Sequence, residues 1–140
     1  PPFIVIGPDV PKNKKIDIDV YLQDVMASSI DLAGLDKPKF IEFNSVMPFI
    51  KGEKTESYYD AIYGCYKTND QRMIRKDGFK LIVYPKIKIM RLFDMENDPM
   101  EMNDLASNEM YGGKMKSLFE DLVNLQKEMD DPIDLALIFN

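Results

Sequence analysis

Apolar residues recur along this chain with two different periods, and the change from one to the other divides it. Phe3-Ile4-Val5-Ile6 is a short apolar run closed by Gly7-Pro8, which predicts a buried β-strand. A strand of that kind needs cover on both faces. Leu22, Val25, Met26, Ser29, Ile30 and Ala33 then recur at threes and fours. That spacing predicts a helix from about Val20 to Ala33, capped by Asp17 or Asp19 and stopped by Gly34 in the left-handed conformation. Pro38 and Pro48 bracket a stretch without sustained period, where one short helical turn is expected around Ser45 to Phe49. Lys51 to Glu56 reads as a polar loop.

From Ala61 onward the period is two. Ala61 to Tyr66, Arg72 to Lys76, Phe79 to Tyr84 and Ile87 to Phe93 read as four successive antiparallel strands. Asp77-Gly78 between the second and third favours a tight type I′ hairpin. Met115, Leu118, Phe119, Leu122, Leu125 and Met129 then trace one apolar stripe. This amphipathic helix needs a sheet to cover it, the preceding meander supplies one, and Asp130-Asp131-Pro132 ends it. Ile133 to Phe139 is apolar enough to dock back on the body, on a surface outside the meander.

The fold class is therefore α+β: a four-stranded antiparallel sheet packed with a C-terminal amphipathic helix, preceded by a strand and a helix belonging to the edge of an incomplete α/β domain. Residues 1–59 form that edge and residues 60–140 the sheet-and-helix subdomain. With no initiator Met, and with Pro1-Pro2 set directly before the apolar run, the chain is expected to continue a longer parent.

Composition narrows the classes. At 140 residues, 45% hydrophobic and 30% charged, the chain matches an ordinary soluble globular protein, and no apolar run approaches the roughly 20 residues that cross a bilayer. The net charge of -6 is unevenly placed. Residues 72–91 carry seven basic side chains against Asp77, and residues 92–140 carry twelve acids against Lys114, Lys116 and Lys127. Alternation divides the basic tract between two sheet faces, so it reads as a solvated face or an internal partner to the acidic tail, with no nucleic-acid partner.

Candidate chemistry is sparse. Cys65 is the only cysteine and there is no histidine, so an internal disulfide is excluded, and zinc or Cys–His nucleophile schemes lack their ligands or base. Cys65 reads as a small buried group between Tyr63 and Tyr66, and the ten methionines as adaptable core filling. Asp94, Glu96, Asp98 and Glu101 are the closest thing to a metal cluster, but Pro99 stands where a calcium-binding EF loop needs Gly. Those acids read as turn caps, leaving no metal ligands and no catalytic residues among the candidates.

The block Leu92-Phe93-Asp94-Met95-Glu96-Asn97-Asp98-Pro99, with Glu101, Asn103 and Leu105, resembles a pattern near the C-terminal end of sulfatases, in the alkaline-phosphatase-like superfamily. Gln71 to Arg75 followed by Gly78 to Ile82 is similar to the paired strands of that family, with Arg75 and Lys80 at its basic positions. Asp24 to Leu35 resembles the preceding helix, and Ser45, Pro48 and Gly52 follow at the usual spacing. The matches are in family order over about residues 1–128. Ala27-Ser28 replaces a usual Pro-Thr, and Phe43-Asn44-Ser45 lacks a usual Gly.

The resemblance implies the C-terminal fragment of a sulfatase, a scaffold and pocket rim inactive alone, whose parent hydrolyses sulfate esters. A related phosphatase or phosphonate-ester hydrolase is the enzymatic alternative, and a noncatalytic protein-association module the other. Calcium and formylglycine are implied for the parent and none for this segment, since Cys65 is not followed by x-Pro-x-Arg. Tyr66, Lys67 and Arg72, near strand ends bordering a polar turn, are the candidates for contacting an anionic or sugar-like substrate. The implied partners are a missing N-terminal catalytic portion, a sulfated small molecule or glycan for the parent, and another copy through exposed apolar surface. Neither membrane nor nucleic acid is expected, and the parent is expected to be secreted or periplasmic.

Overall fold

The computed structural model describes residues 3–8, 10–68 and 70–139; Pro1, Pro2, Asp9, Asn69 and Asn140 lie outside it. The chain divides into two units, Pro1–Asp60 and Ala61–Asn140.

In the first unit Phe3 to Ile6 forms no strand, and Ile4 and Ile6 are 77% and 92% exposed. The strand expected there is corrected for a simple reason: a strand needs a hydrogen-bonded neighbour, and all described strands of this chain belong to the second unit. Helix α1 spans Asp24–Leu32, a turn shorter than its apolar period, and neither Asp17 nor Asp19 is its N-cap; that position is Gln23. Gly34, with φ 66°, follows its end as the sequence requires. Helix α2 spans Met47–Lys51 and ends at Gly52, φ 81°.

Asp24 organises this unit. Its carboxylate, 1% exposed, accepts hydrogen bonds from the backbone of Tyr21 at 2.7 Å and Asn44 at 3.0 Å, and from the Tyr59 hydroxyl. Burial, then the Asp24 carboxylate, push the Tyr59 hydroxyl well above its ordinary pKa. Ser28 donates to the Asp24 carbonyl at 2.7 Å and accepts from the Val46 backbone at 2.9 Å. These bonds tie α1 to the start of α2, where Val46, Met47, Phe49 and Ile50 form a small apolar cluster with Val5, Val10, Ile18 and Val20.

The second unit is an antiparallel meander, β1 (Ile62–Tyr66), β2 (Gln71–Lys76), β3 (Phe79–Tyr84) and β4 (Ile89–Asp94), in the order β1-β2-β3-β4. Asp77 and Gly78 both have positive φ, 50° and 74°, as a two-residue I′ turn demands. That turn sets Ile74 opposite Leu81 and Arg72 opposite Val83; β4 continues the rows with Leu92 and Met90. Ile74, Leu81, Val83 and Leu92 are completely buried together with Leu118 and Leu122 of α3 (Gly112–Glu128). A sheet with one apolar face and a helix with one apolar stripe thus close a shared core.

Several expectations change here. Leu135, in α4 (Leu135–Phe139), is completely buried in this same core, and Phe139 packs edge-on against Phe119 at 5.7 Å. The tail therefore docks on the meander and α3 rather than on a separate surface. Met129 is half exposed beyond the stripe, while Met100, Met102 and Met110 are at least 77% exposed between β4 and α3, so these methionines fill no core. Cys65 is also exposed, because burial along the edge strand β1 is lost at its last two residues.

Leu92→Ala should cost about 2–5 kcal/mol in urea unfolding, since it opens a cavity at the centre of this layer. Gly78→Ala should cost on the order of 1 kcal/mol, because alanine is strained at positive φ.

Candidate functional site

The acidic block after β4 is structural in its geometry. Asp94 accepts from the backbone of Glu96 and Asn97, both at 3.0 Å, and from the Asn97 amide at 2.8 Å. Asp98 accepts from the Asn103 backbone at 2.7 Å, and Asp104 from the Leu92 and Ala106 backbones at 3.1 and 3.0 Å. Hydrogen bonds from Asn97 hold the Asp94 carboxyl below its ordinary pKa; those from Met102 and Asn103 do the same for Asp98. Glu101 grips Lys80 through both oxygens at 2.8 and 2.9 Å. Four carboxylates are thereby committed to folding the turn and tying it to β3 and β4. Among the described residues no three His, Cys, Asp or Glu side chains converge as a metal would require.

At the other end of the sheet the chemistry is free to face outward. A meander places its first and third connections at one end, so Lys67, Thr68 and Asp70 lie beside residues 85–88. Asp70 bridges them, pairing with Lys86 and, at 3.6 Å, with Lys67. The Lys86 hydrogen bond, opposed by a little burial, draws the Asp70 carboxyl below its ordinary pKa. Lys67, Thr68, Asp70 and Lys86 line a shallow cleft of about 300 Å³. Beside it the Tyr66 ring is 56% exposed, with the Lys67 ammonium 5.3 Å from its centroid. Two lysines against one aspartate leave the cleft positive, and Tyr66 adds a flat apolar face.

Arg72, the third sequence candidate, points the other way. It shares the inward-facing row of Val83 and Met90, and only 3% of its side chain is exposed. Its guanidinium meets both oxygens of Asp131, with Nη2 to Oδ1 at 2.9 Å and Nε to Oδ2. The remaining donors reach the carbonyls of Lys67 at 3.2 Å, Gln71 at 2.8 Å and Thr68 at 2.8 Å. The Tyr63 hydroxyl donates to Asp131 as well. Burial pushes the Asp131 carboxyl up, but the bonds from Arg72 and Tyr63 overrule it and hold it at about 2. Burial and the same carboxylate raise the Tyr63 hydroxyl well above its ordinary pKa.

The structure therefore gathers Tyr66 and Lys67 at the surface and sets Arg72 behind them. Asp131, Asp70 and Lys86 escaped the sequence reading. The signal for Asp131 was present: the two-residue turn at Asp77-Gly78 puts Arg72 in an inward row, and a buried guanidinium calls for an acid.

An antiparallel meander covered by one helix, with its acidic turn locked on the last strand, is the architecture of a sulfatase C-terminal domain. Residues 1–128 match the family described as N-sulphoglucosamine sulphohydrolase, C-terminal, and the chain belongs to that family. It is 27% identical to a Delta 4,5-hexuronate-2-O-sulfatase of Bacteroides thetaiotaomicron, covering 91% of this chain and 29% of that protein. It is 31% identical to an N-acetylglucosamine-6-O-sulfatase of the same organism, covering 77% of this chain and 21% of that protein. A solved structure in complex with its substrate D-glucosamine-2-N,6-O-disulfate superimposes with a TM-score of 0.67 at 28% identity, covering 79% of this chain and 24% of that one. The chain thus spans less than a third of the length of each of these three proteins. Among the described residues, the carboxylates after β4 cap backbone groups or pair with Lys80, and Cys65 is followed by Tyr66-Lys67-Thr68 rather than by x-Pro-x-Arg.

Asp131→Asn should cost about 3–5 kcal/mol, because it leaves a buried guanidinium without its counter-charge. The native carboxylate titrates at about 2 against an ordinary value of 3.8. Its contribution, on the order of 2 kcal/mol, is full above about pH 4 and is lost as pH falls toward 2. Urea unfolding from pH 6 to pH 2 should show that loss in the native chain and not in Asp131→Asn.

Proposed function

We propose that this chain forms the C-terminal part of a sulfatase that hydrolyses sulfate esters on sugars, and that the turn end of its sheet is part of the pocket rim. The observation that carries the reading is the family match over residues 1–128 together with a fully formed sheet-and-helix core. Relatives named for hexuronate and N-acetylglucosamine sulfates, and a neighbour holding a disulfated glucosamine, support a sulfated sugar as the ligand class. Tyr66 offers a sugar ring a stacking face, and Lys67 and Lys86 offer a sulfate or carboxylate two point charges. Arg72 belongs to the rim as the residue behind it.

In this reading, sulfate-ester cleavage is done by an N-terminal catalytic portion, which also supplies calcium and formylglycine. Sulfate transfer requires an activated nucleophile and positive charge aimed at nonbridging oxygens. Residues 1–59 are the edge of that portion's α/β domain and residues 60–140 a separate subdomain. The exposed apolar side chains of Phe3, Ile4 and Ile6 fit contact with that portion or with another copy. A secreted or periplasmic setting follows from a substrate of this class. Among the described residues no helix is long and apolar enough to cross a membrane.

The polypeptide comprising this chain and its catalytic portion should turn over glucosamine and hexuronate sulfates in preference to the matching phosphate and phosphonate esters. Chain 1–140 alone should turn over none. Lys67→Ala with Lys86→Ala should raise KM by about two- to tenfold with kcat little changed, as expected for two exposed charges that act on binding alone. A preference for phosphonate esters, or turnover by the 140-residue chain, would overturn the reading.

A further inference from the structure

We propose that Arg72 is a positioning residue for the rim, with Asp131 as its anchor: the guanidinium holds the β1–β2 turn in the conformation that presents Tyr66 and Lys67. A guanidinium has five N–H donors in a rigid plane. Here two meet the Asp131 carboxylate, and the other three meet the carbonyls of Lys67, Thr68 and Gln71. Two of those carbonyls belong to the turn itself. With them drawn inward, the Lys67 backbone takes the left-handed conformation, φ 51°, and its side chain projects outward beside Tyr66.

The anchor comes from far along the chain. Asp131 is 59 residues beyond Arg72, in the segment after α3, and the backbone of Ile133 at 3.0 Å and the Tyr63 hydroxyl fix it in turn. The C-terminal segment, seated in the core by Leu135, is thereby linked through one buried ion pair to a surface turn. Buried ion pairs contribute modestly to net stability, yet they fix one arrangement because any other leaves a charge unpaired. The value of that arrangement to ligand binding rests on the rim reading above; the positioning does not.

Amide exchange followed by NMR on chain 1–140 tests the assignment. Arg72→Lys keeps a cation for Asp131 but cannot also reach the Lys67 and Thr68 carbonyls. It should speed exchange at Tyr66, Lys67, Thr68 and Asp70 by about tenfold or more relative to Leu81 and Leu92. Tyr63→Phe leaves all five Arg72 donors engaged and should change the turn by less than about twofold. An unchanged turn in Arg72→Lys, or acceleration shared equally with Leu81 and Leu92, would overturn the proposal. So would a Tyr63→Phe turn as loose as that of Arg72→Lys. In the unaltered chain, which needs no variant to fold, the Arg72 Nε proton should exchange about tenfold or more slowly than that of half-exposed Arg91. Equal rates would contradict the clamp. None of these readouts involves turnover, so they separate failure of the clamp from failure of the sulfatase reading.

Discussion

A guanidinium inside an apolar layer is tolerated only when a carboxylate meets it and every N–H has an acceptor. In the second unit of this chain Arg72 sits in the inward-facing row of the sheet, beside Val83, and that single placement constrains much around it. It requires Asp131, and so fixes where the chain runs after α3. It also draws on the carbonyls of the β1–β2 turn, and so fixes how that turn is folded. The apolar contacts among Ile74, Leu81, Leu92, Leu118 and Leu122 supply the bulk of cohesion, but they are non-directional. The ion pair supplies direction, joining the segment after α3 to the carbonyls of the β1–β2 turn.

The same logic accounts for the uneven charge along the chain. The basic stretch from Arg72 to Arg91, divided by alternation between two sheet faces, reads as a solvated face or an internal partner to the acidic tail. In the fold most of it meets acids supplied from within the chain: Arg72 with Asp131, Lys76 with Asp121, Lys80 with Glu101, Lys86 with Asp70. Three of those acids lie in the acidic tail. Lys67 and Lys86, whose side chains are 64% and 63% exposed, are at one end of the sheet, and that end is the proposed rim.

Much of this was legible before the coordinates. Period-two alternation with Asp77-Gly78 at its centre specified the meander and its register, and the Leu118 and Leu122 stripe specified the covering helix. The acidic block was legible as turn capping because Pro99 defeats a calcium loop and short Asx side chains satisfy nearby backbone N–H groups. What failed did so for physical reasons. Phe3 to Ile6 has strand composition, but composition cannot provide a hydrogen-bonding neighbour. Cys65 is small and apolar, but an edge strand loses its cover at its end, and the residue is exposed. Arg72 stands near a strand end bordering the turn, and the register of the hairpin sets it in the inward row, behind Tyr66 and Lys67. Asp131 was hidden for a different reason: contacts spanning 59 residues depend on how α3 returns the chain, which no local period reports.

The block Leu92 to Leu105, which resembles the family pattern most densely, is also where the carboxylates are committed to backbone groups and Lys80. The account therefore separates scaffold from rim, and NMR titration of chain 1–140 with a sulfated glucosamine disaccharide tests that separation most directly. It predicts resonance changes at Tyr66, Lys67 and Lys86 with the Asp94 to Asp104 block unmoved; changes centred on that block, with the turn end of the sheet silent, would contradict it.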